Sequence, residues 1–149
     1  MTLRLDYMKA APAGMAAIRA TRDYVAKSGL PQILIDLVNL RVSQINGCAY
    51  CIDMHSRDLL KHGFDVAKLV LVPAWREGGK LFDARERAAL AWAETVTRVA
   101  ETGIPDADYA AVAAEFNEKE VADLTIVIGL MNLYNRIAIG FRSTPEAAR

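Results

Sequence analysis

An all-α fold, a bundle of six to seven helices, is what this chain predicts, and three observations carry the prediction. Apolar residues recur three and four positions apart, and β-branched residues do not alternate with polar ones as strands require. The composition is rich in hydrophobic residues, at 53% with 24% charged, which excludes a disordered chain. The length of 149 residues suits one core and is short for two, so residues 1–149 are expected to form one domain.

The elements follow from local signals. Pro12 suits the first turn of a helix over about 12–28, with Met15, Ile18 and Val25 inward and Gly29 and Pro31 ending it. From Pro31, Ile33, Leu34, Leu37, Val38, Leu40 and Ile45 keep helical spacing until Asn46-Gly47, a dipeptide that breaks helices. A third helix is expected from about Gly47 to Lys61, capped by Asn46 and closed by Gly63. A short helix within Val66–Trp75, interrupted by Pro73, leads into an irregular connection at Gly78-Gly79. Asp83-Ala84-Arg85-Glu86 has the form of a capping box for a helix over about 84–101. Pro105 and Asp106 start a sixth helix, and Glu118 a seventh reaching to Phe141. That last segment is apolar nearly all round, which predicts the central helix or a subunit interface.

Charge excludes several partners. Lys plus Arg and Asp plus Glu both number 18, so neither nucleic acid nor an anionic membrane has an electrostatic claim on the chain. Arg4, Asp6 and Lys9 interrupt the first ten residues where a secretory signal needs an apolar run, so a cytoplasmic location is expected. The uncharged stretch Leu124–Asn135 is shorter than the roughly 20 residues of a membrane span. The high apolar content predicts a homo-oligomer.

Chemistry concentrates in Cys48-Ala49-Tyr50-Cys51 and His55. These are the only two cysteines, and in a reducing compartment such a pair is catalytic or metal-binding rather than a structural staple. Cys48, Cys51 and His55 stand at i, i+3 and i+7, which on one helix is a single face. Residues three apart have Cβ atoms about 5–6 Å from each other, so a small adjustment closes a disulfide. The first turn of a helix favours thiolate, and His55, four residues past Cys51, is in reach of its proton. Cys51 is therefore the better-placed nucleophile.

The run Leu40-Arg41-Val42-Ser43-Gln44-Ile45-Asn46-Gly47-Cys48-Ala49-Tyr50-Cys51-Ile52-Asp53-Met54-His55 resembles the core motif of the AhpD-like alkylhydroperoxidases, within the carboxymuconolactone decarboxylase superfamily. The similarity runs from about Ile33 to Gly63 and returns at Glu86–Leu90 and Asn132–Arg136. The resemblance implies the AhpD-like bundle with its CxxC at a helix start, and a thiol-dependent, antioxidant peroxidase acting on organic hydroperoxides. By the same resemblance Cys51 attacks the peroxide, Cys48 resolves the sulfenic acid, and His55 works with an upstream carboxylate. That carboxylate falls on Asp36, where the family commonly has Glu, and the shorter side chain is expected to reach His55 directly or through a water. A lipoyl- or thioredoxin-like dithiol would be the reductant, a trimer or hexamer the assembly, and no cofactor is implied.

Other readings compete on the same residues. Cys48, Cys51, His55 and Asp36 could supply four metal ligands, but zinc CxxC pairs lie on turns and bring a second pair, so no metal is expected. A redox-sensing or disulfide-exchange module would use the dithiol without fast turnover. A carboxymuconolactone-type decarboxylase would need acid and base groups but no cysteine pair. His62 beside Gly63 is assigned to the helix end, and Trp75 and Trp92 to packing.

Overall fold

The computed structural model describes residues 2–148, and among them there is no strand. Nine α-helices follow one another: α1 (Tyr7–Ala10), α2 (Pro12–Val25), α3 (Gln32–Asn46), α4 (Ala49–Lys61), α5 (Val66–Leu71), α6 (Ala84–Thr97), α7 (Val99–Thr102), α8 (Asp106–Ala113) and α9 (Glu118–Phe141). Seven answer to the expected helices; the one-turn α1 and α7 are additional.

The centre of the bundle is α3. Seven consecutive residues, Leu34 to Leu40, are buried, so this helix is enclosed on every side. It packs against α4, α6 and α9. The helix α9, expected as the central one, instead buries one stripe through Val121, Leu124, Val127, Ile128 and Met131. Ile126, Leu133 and Ile139 remain exposed on its other side. By length and composition α9 is long and apolar enough to cross a membrane, yet its buried stripe lies in the protein core.

Boundaries differ from expectation where local chemistry intervenes. The helix expected over 84–101 breaks at Arg98, just after the β-branched run Thr95-Val96-Thr97, whose stiff side chains weaken helix propagation. Thr102 then donates its hydroxyl to the Thr95 carbonyl at 2.9 Å and folds the chain back. Pro73, lacking an N–H, converts Val72–Glu77 into a 3-10 segment. The capping box at Asp83 and Glu86 forms in full, and Asn117 with Glu120 makes a second one at the start of α9.

The junction between α3 and α4 differs in detail and positions the site. Asn46 does not cap α4; it is the last residue of α3, and Gly47 follows in the left-handed region at φ 70°. The Cys48 amide donates back to the Ser43 carbonyl at 2.9 Å, the long-range bond of a Schellman-type end. Cys48 is then the N-cap residue of α4, its own carbonyl accepting from the Ile52 amide at 2.9 Å.

The N-terminal segment is docked on the end of α9. The Arg4 amide donates to the Phe141 carbonyl at 3.0 Å, and the Tyr7 ring stacks on Phe141 with centroids 5.7 Å apart. Helix α2 packs on α9, with Val25 buried and Met15 and Ile18 half-buried.

Candidate active site

Cys48 and Cys51 are both free thiols, 1% and 2% exposed, with sulfurs 2.9 Å apart. At that separation the pair can share one proton. The Cys48 thiol is lowered to about 7: a hydrogen bond from the Cys51 thiol stabilises its anion, and contacts from the Cys51 amide, Asn135 and the Tyr50 amide add to this against the cost of burial. Cys51 is pushed up for the reciprocal reasons: it keeps its proton to donate a hydrogen bond to the Cys48 sulfur, it is buried, and a second negative charge beside the first is opposed. The resting charge thus sits on Cys48, at the N-terminal end of α4 where unpaired amides favour an anion.

Access favours the other sulfur. A cavity of about 430 Å³ is lined by Cys51, with Asp36, His55, Tyr50 and Met54, and Cys48 is not part of its wall. The sequence-based choice of Cys51 therefore agrees with its position on the cavity, while the electrostatics favour charge on its neighbour. One proton crossing the 2.9 Å between them exchanges the two states.

His55 Nδ1 lies 3.2 Å from Asp36 Oδ1, so the carboxylate reaches the imidazole directly despite its short side chain. The second Asp36 oxygen accepts from Gln32 Nε2 at 3.0 Å. Both partners are buried, at 4% for Asp36 and 6% for His55. With Asp36 accepting from Nδ1–H, a neutral imidazole presents Nε2 as an acceptor, and that buried atom has no hydrogen-bond partner. His55 makes no hydrogen bond to Cys51, so the direct thiol-to-imidazole contact expected from the i+4 spacing is not formed. Asp36 and His55 also lie with Asp58 in a cluster whose ligand atoms are within 4.8 Å of one another. The four ligands weighed from sequence do not include Asp58, and the cysteine pair lies outside this cluster.

Two polar residues beneath the pair, Ser43 and Asn135, were given no role from sequence, and Asn46, expected as a helix cap, joins them. Asn135, fully buried on α9, donates to Ser43 Oγ at 3.1 Å and accepts from Asn46 Nδ2 at 2.9 Å. Asn135 favours the anionic form of both thiols, and Ser43 that of Cys51. The available signal was the pair Asn132 and Asn135 interrupting an otherwise apolar helix, since buried amides persist only with partners. His62 is exposed at the α4 C-cap, and Trp75 and Trp92 are buried in the core, as assigned.

A helical bundle centred on α3, with a dithiol at its joint to α4 and a carboxylate–imidazole pair on the same cavity, defines a family. Residues 12–95 match the carboxymuconolactone decarboxylase family, and the chain belongs to it, with the AhpD-like fold. Among its relatives, the uncharacterized protein YdfG of Bacillus subtilis is 34% identical over 139 residues, 93% of this chain and 94% of YdfG. A protein of unknown function from Agrobacterium tumefaciens, described as a putative antioxidant defence protein AhpD, superposes with a TM-score of 0.92. It is 41% identical, over 97% of this chain and 98% of that one. The debrominase Bmp8 shares the fold with a TM-score of 0.81 at 19% identity, over 95% of this chain and 75% of its own.

Proposed function

We propose that the chain is a cytoplasmic thiol-dependent peroxidase that reduces organic hydroperoxides through a Cys48–Cys51 dithiol/disulfide cycle. The observation that carries this reading is the pair of free thiols 2.9 Å apart, one of them on the wall of a cavity that also holds His55 and Asp36. The similarity to a putative antioxidant defence protein supports it.

In this mechanism the thiolate of Cys51, formed as its proton passes to Cys48, attacks the distal peroxide oxygen. An S–O bond forms, the O–O bond breaks, and the alkoxide leaves as an alcohol after taking a proton. The proton comes from solvent through His55, which Asp36 holds at Nδ1 and whose Nε2 can take up a proton and pass it to the alkoxide. The Cys48 thiol then attacks the Cys51 sulfenic acid: the S–S bond forms, the S–O bond breaks, and the Cys48 proton joins the departing hydroxide as water. The peroxide takes two electrons, and the dithiol is oxidised by two. An external dithiol returns them by exchange; with both sulfurs buried, a slender arm of the lipoyl type suits the cavity better than a bulky thioredoxin-like face.

Stopped-flow mixing of the reduced protein with cumene hydroperoxide, followed by thiol counting, tests this. One equivalent of peroxide should consume both thiols. Cys51→Ser should abolish consumption, and Cys48→Ser should leave a single oxidation with a sulfenic acid trapped on Cys51. Thiols that survive excess hydroperoxide would remove the peroxidase reading, leaving disulfide exchange or acid–base decarboxylation to be tested. Activity retained in Cys51→Ser and lost in Cys48→Ser would exchange the two roles.

A further inference from the structure

The walls of the cavity differ in chemistry. Cys51, His55, Asp36 and Asp58 come from α3 and α4, while Met15, Arg19 and Arg22 come from α2, at i, i+4 and i+7 on one face. Between them the lining is largely apolar, with Met54, Leu130 and Met131 among its residues. Methionine suits such a surface, because a flexible thioether adapts to bodies of varied shape.

The charges along this lining are unequally satisfied. Asp36 is held by His55 and Gln32, and Asp58 pairs with Lys61 at 3.3 Å. Arg19 makes no hydrogen bond or ion pair among the described residues. Arg22 meets only its neighbour Asp23 at 3.3 Å, with both side chains more than half exposed. Both guanidiniums also act on the half-buried phenol of Tyr134, another cavity residue, where they oppose the upward push of burial. The α2 side therefore offers positive charge without a committed internal partner.

From this arrangement we infer that the cavity selects hydroperoxides bearing a carboxylate on an apolar body, with Arg19 and Arg22 receiving the carboxylate while the peroxide faces Cys51. The inference rests on the peroxidase reading and adds its substrate class. A planar guanidinium suits a carboxylate because it donates two parallel N–H bonds. Since the arginines stand at the solvent side, the preference is moderate and weakens with salt.

The test uses the hydroperoxide of linoleic acid against that of its methyl ester, compared by kcat/KM with a small dithiol as reductant. The acid should be preferred by about tenfold, the size of one good charge-assisted contact. In Arg19→Gln/Arg22→Gln the ratio should fall towards one, and in Arg19→Lys/Arg22→Lys part of it should return, because charge is kept while the fork is lost. A circular-dichroism melt of each variant establishes that the comparison is between folded proteins. Equal rates for acid and ester in the unaltered protein, or a preference surviving in the double glutamine variant, would overturn the inference and leave the peroxidase reading standing. If neither hydroperoxide is consumed, the peroxidase reading falls and the substrate class falls with it.

Discussion

Two sulfurs 2.9 Å apart behave as one titrating unit, and that governs how the site responds to pH. Cys48 is lowered to about 7 while Cys51 is raised, so the reduced pair carries one negative charge above neutrality and none well below it. Alkylation by a small reagent such as iodoacetamide should therefore rise with pH through a midpoint near 7, with one thiol modified first. In Cys51→Ala the donor to Cys48 is gone and the midpoint should move upward; an unchanged midpoint would mean that the backbone amides alone hold the anion. A second prediction concerns Asp36 and His55, joined at 3.2 Å. If they serve one proton transfer, His55→Ala should slow single-turnover peroxide reduction by about 10²-fold or more. Asp36→Asn should cost less, and the double variant little more than His55→Ala alone. Fully additive losses would assign Asp36 to a separate task. The CxxC spacing with its i+4 histidine pointed to Cys48, Cys51 and His55, and the family resemblance pointed to Asp36. Ser43 and Asn135 were not legible, because a buried polar residue reveals its role only through the partners that packing brings to it, and neither was the exposed Gln32, whose bond to Asp36 depends on the same packing.

At the scale of elements, the joint between α3 and α4 and the clamp on α6 each have a measurable consequence. Gly47 adopts φ 70° with open space around its Cα, so an added methyl meets no neighbour and the cost is that of the backbone alone. Gly47→Ala should destabilise the fold by roughly 1–2 kcal/mol in chemical denaturation. Glu94 on α6 is buried and accepts from Trp75 Nε1 at 2.8 Å, from Arg41 Nε at 2.8 Å, and from Arg76. Burial would raise this carboxyl, but the bonds from Trp75, Arg76 and Arg41 outweigh it and hold it below its ordinary 4.5. A lowered folded value means that the stabilisation is complete above 4.5 and is lost as pH falls through the folded value. Glu94→Ala should cost about 3 kcal/mol near neutral pH, because it strands Arg41, whose side chain is only 13% exposed, and the gap to the unaltered protein should narrow in acid. The caps and breakers of the long helices were readable from sequence: Asp83 with Glu86, Pro12, and Gly47 itself. The stop at Arg98 was not, since Trp92, Val96 and Val99 maintain helical spacing across it and the cue was only a modest loss of propensity.

For the molecule as a whole, periodicity identified the fold class and the seven longer segments but not which helix lies at the centre. An all-round apolar helix can satisfy its surface inside one chain or against another, and sequence does not separate the two. Here α3 takes the interior, while α9 leaves Ile126, Leu133 and Ile139 exposed. We expect α9 to supply part of a subunit interface in a trimer or hexamer. Sedimentation should show that assembly at micromolar concentration, and Leu133→Glu should shift it towards smaller species; a monomer in the unaltered protein would remove the argument.

Cys48 occupies an unusual place in the hydrogen-bond ladders, since its amide closes the end of α3 and its carbonyl opens α4. Electron exchange at its sulfur therefore acts on a residue common to two helices. The Cys48 and Ile52 amide protons, one bonded to each side of that joint, form a built-in gauge of the redox state. Comparing their exchange rates in the dithiol and disulfide forms would register turnover as a mechanical event, without any label on the substrate.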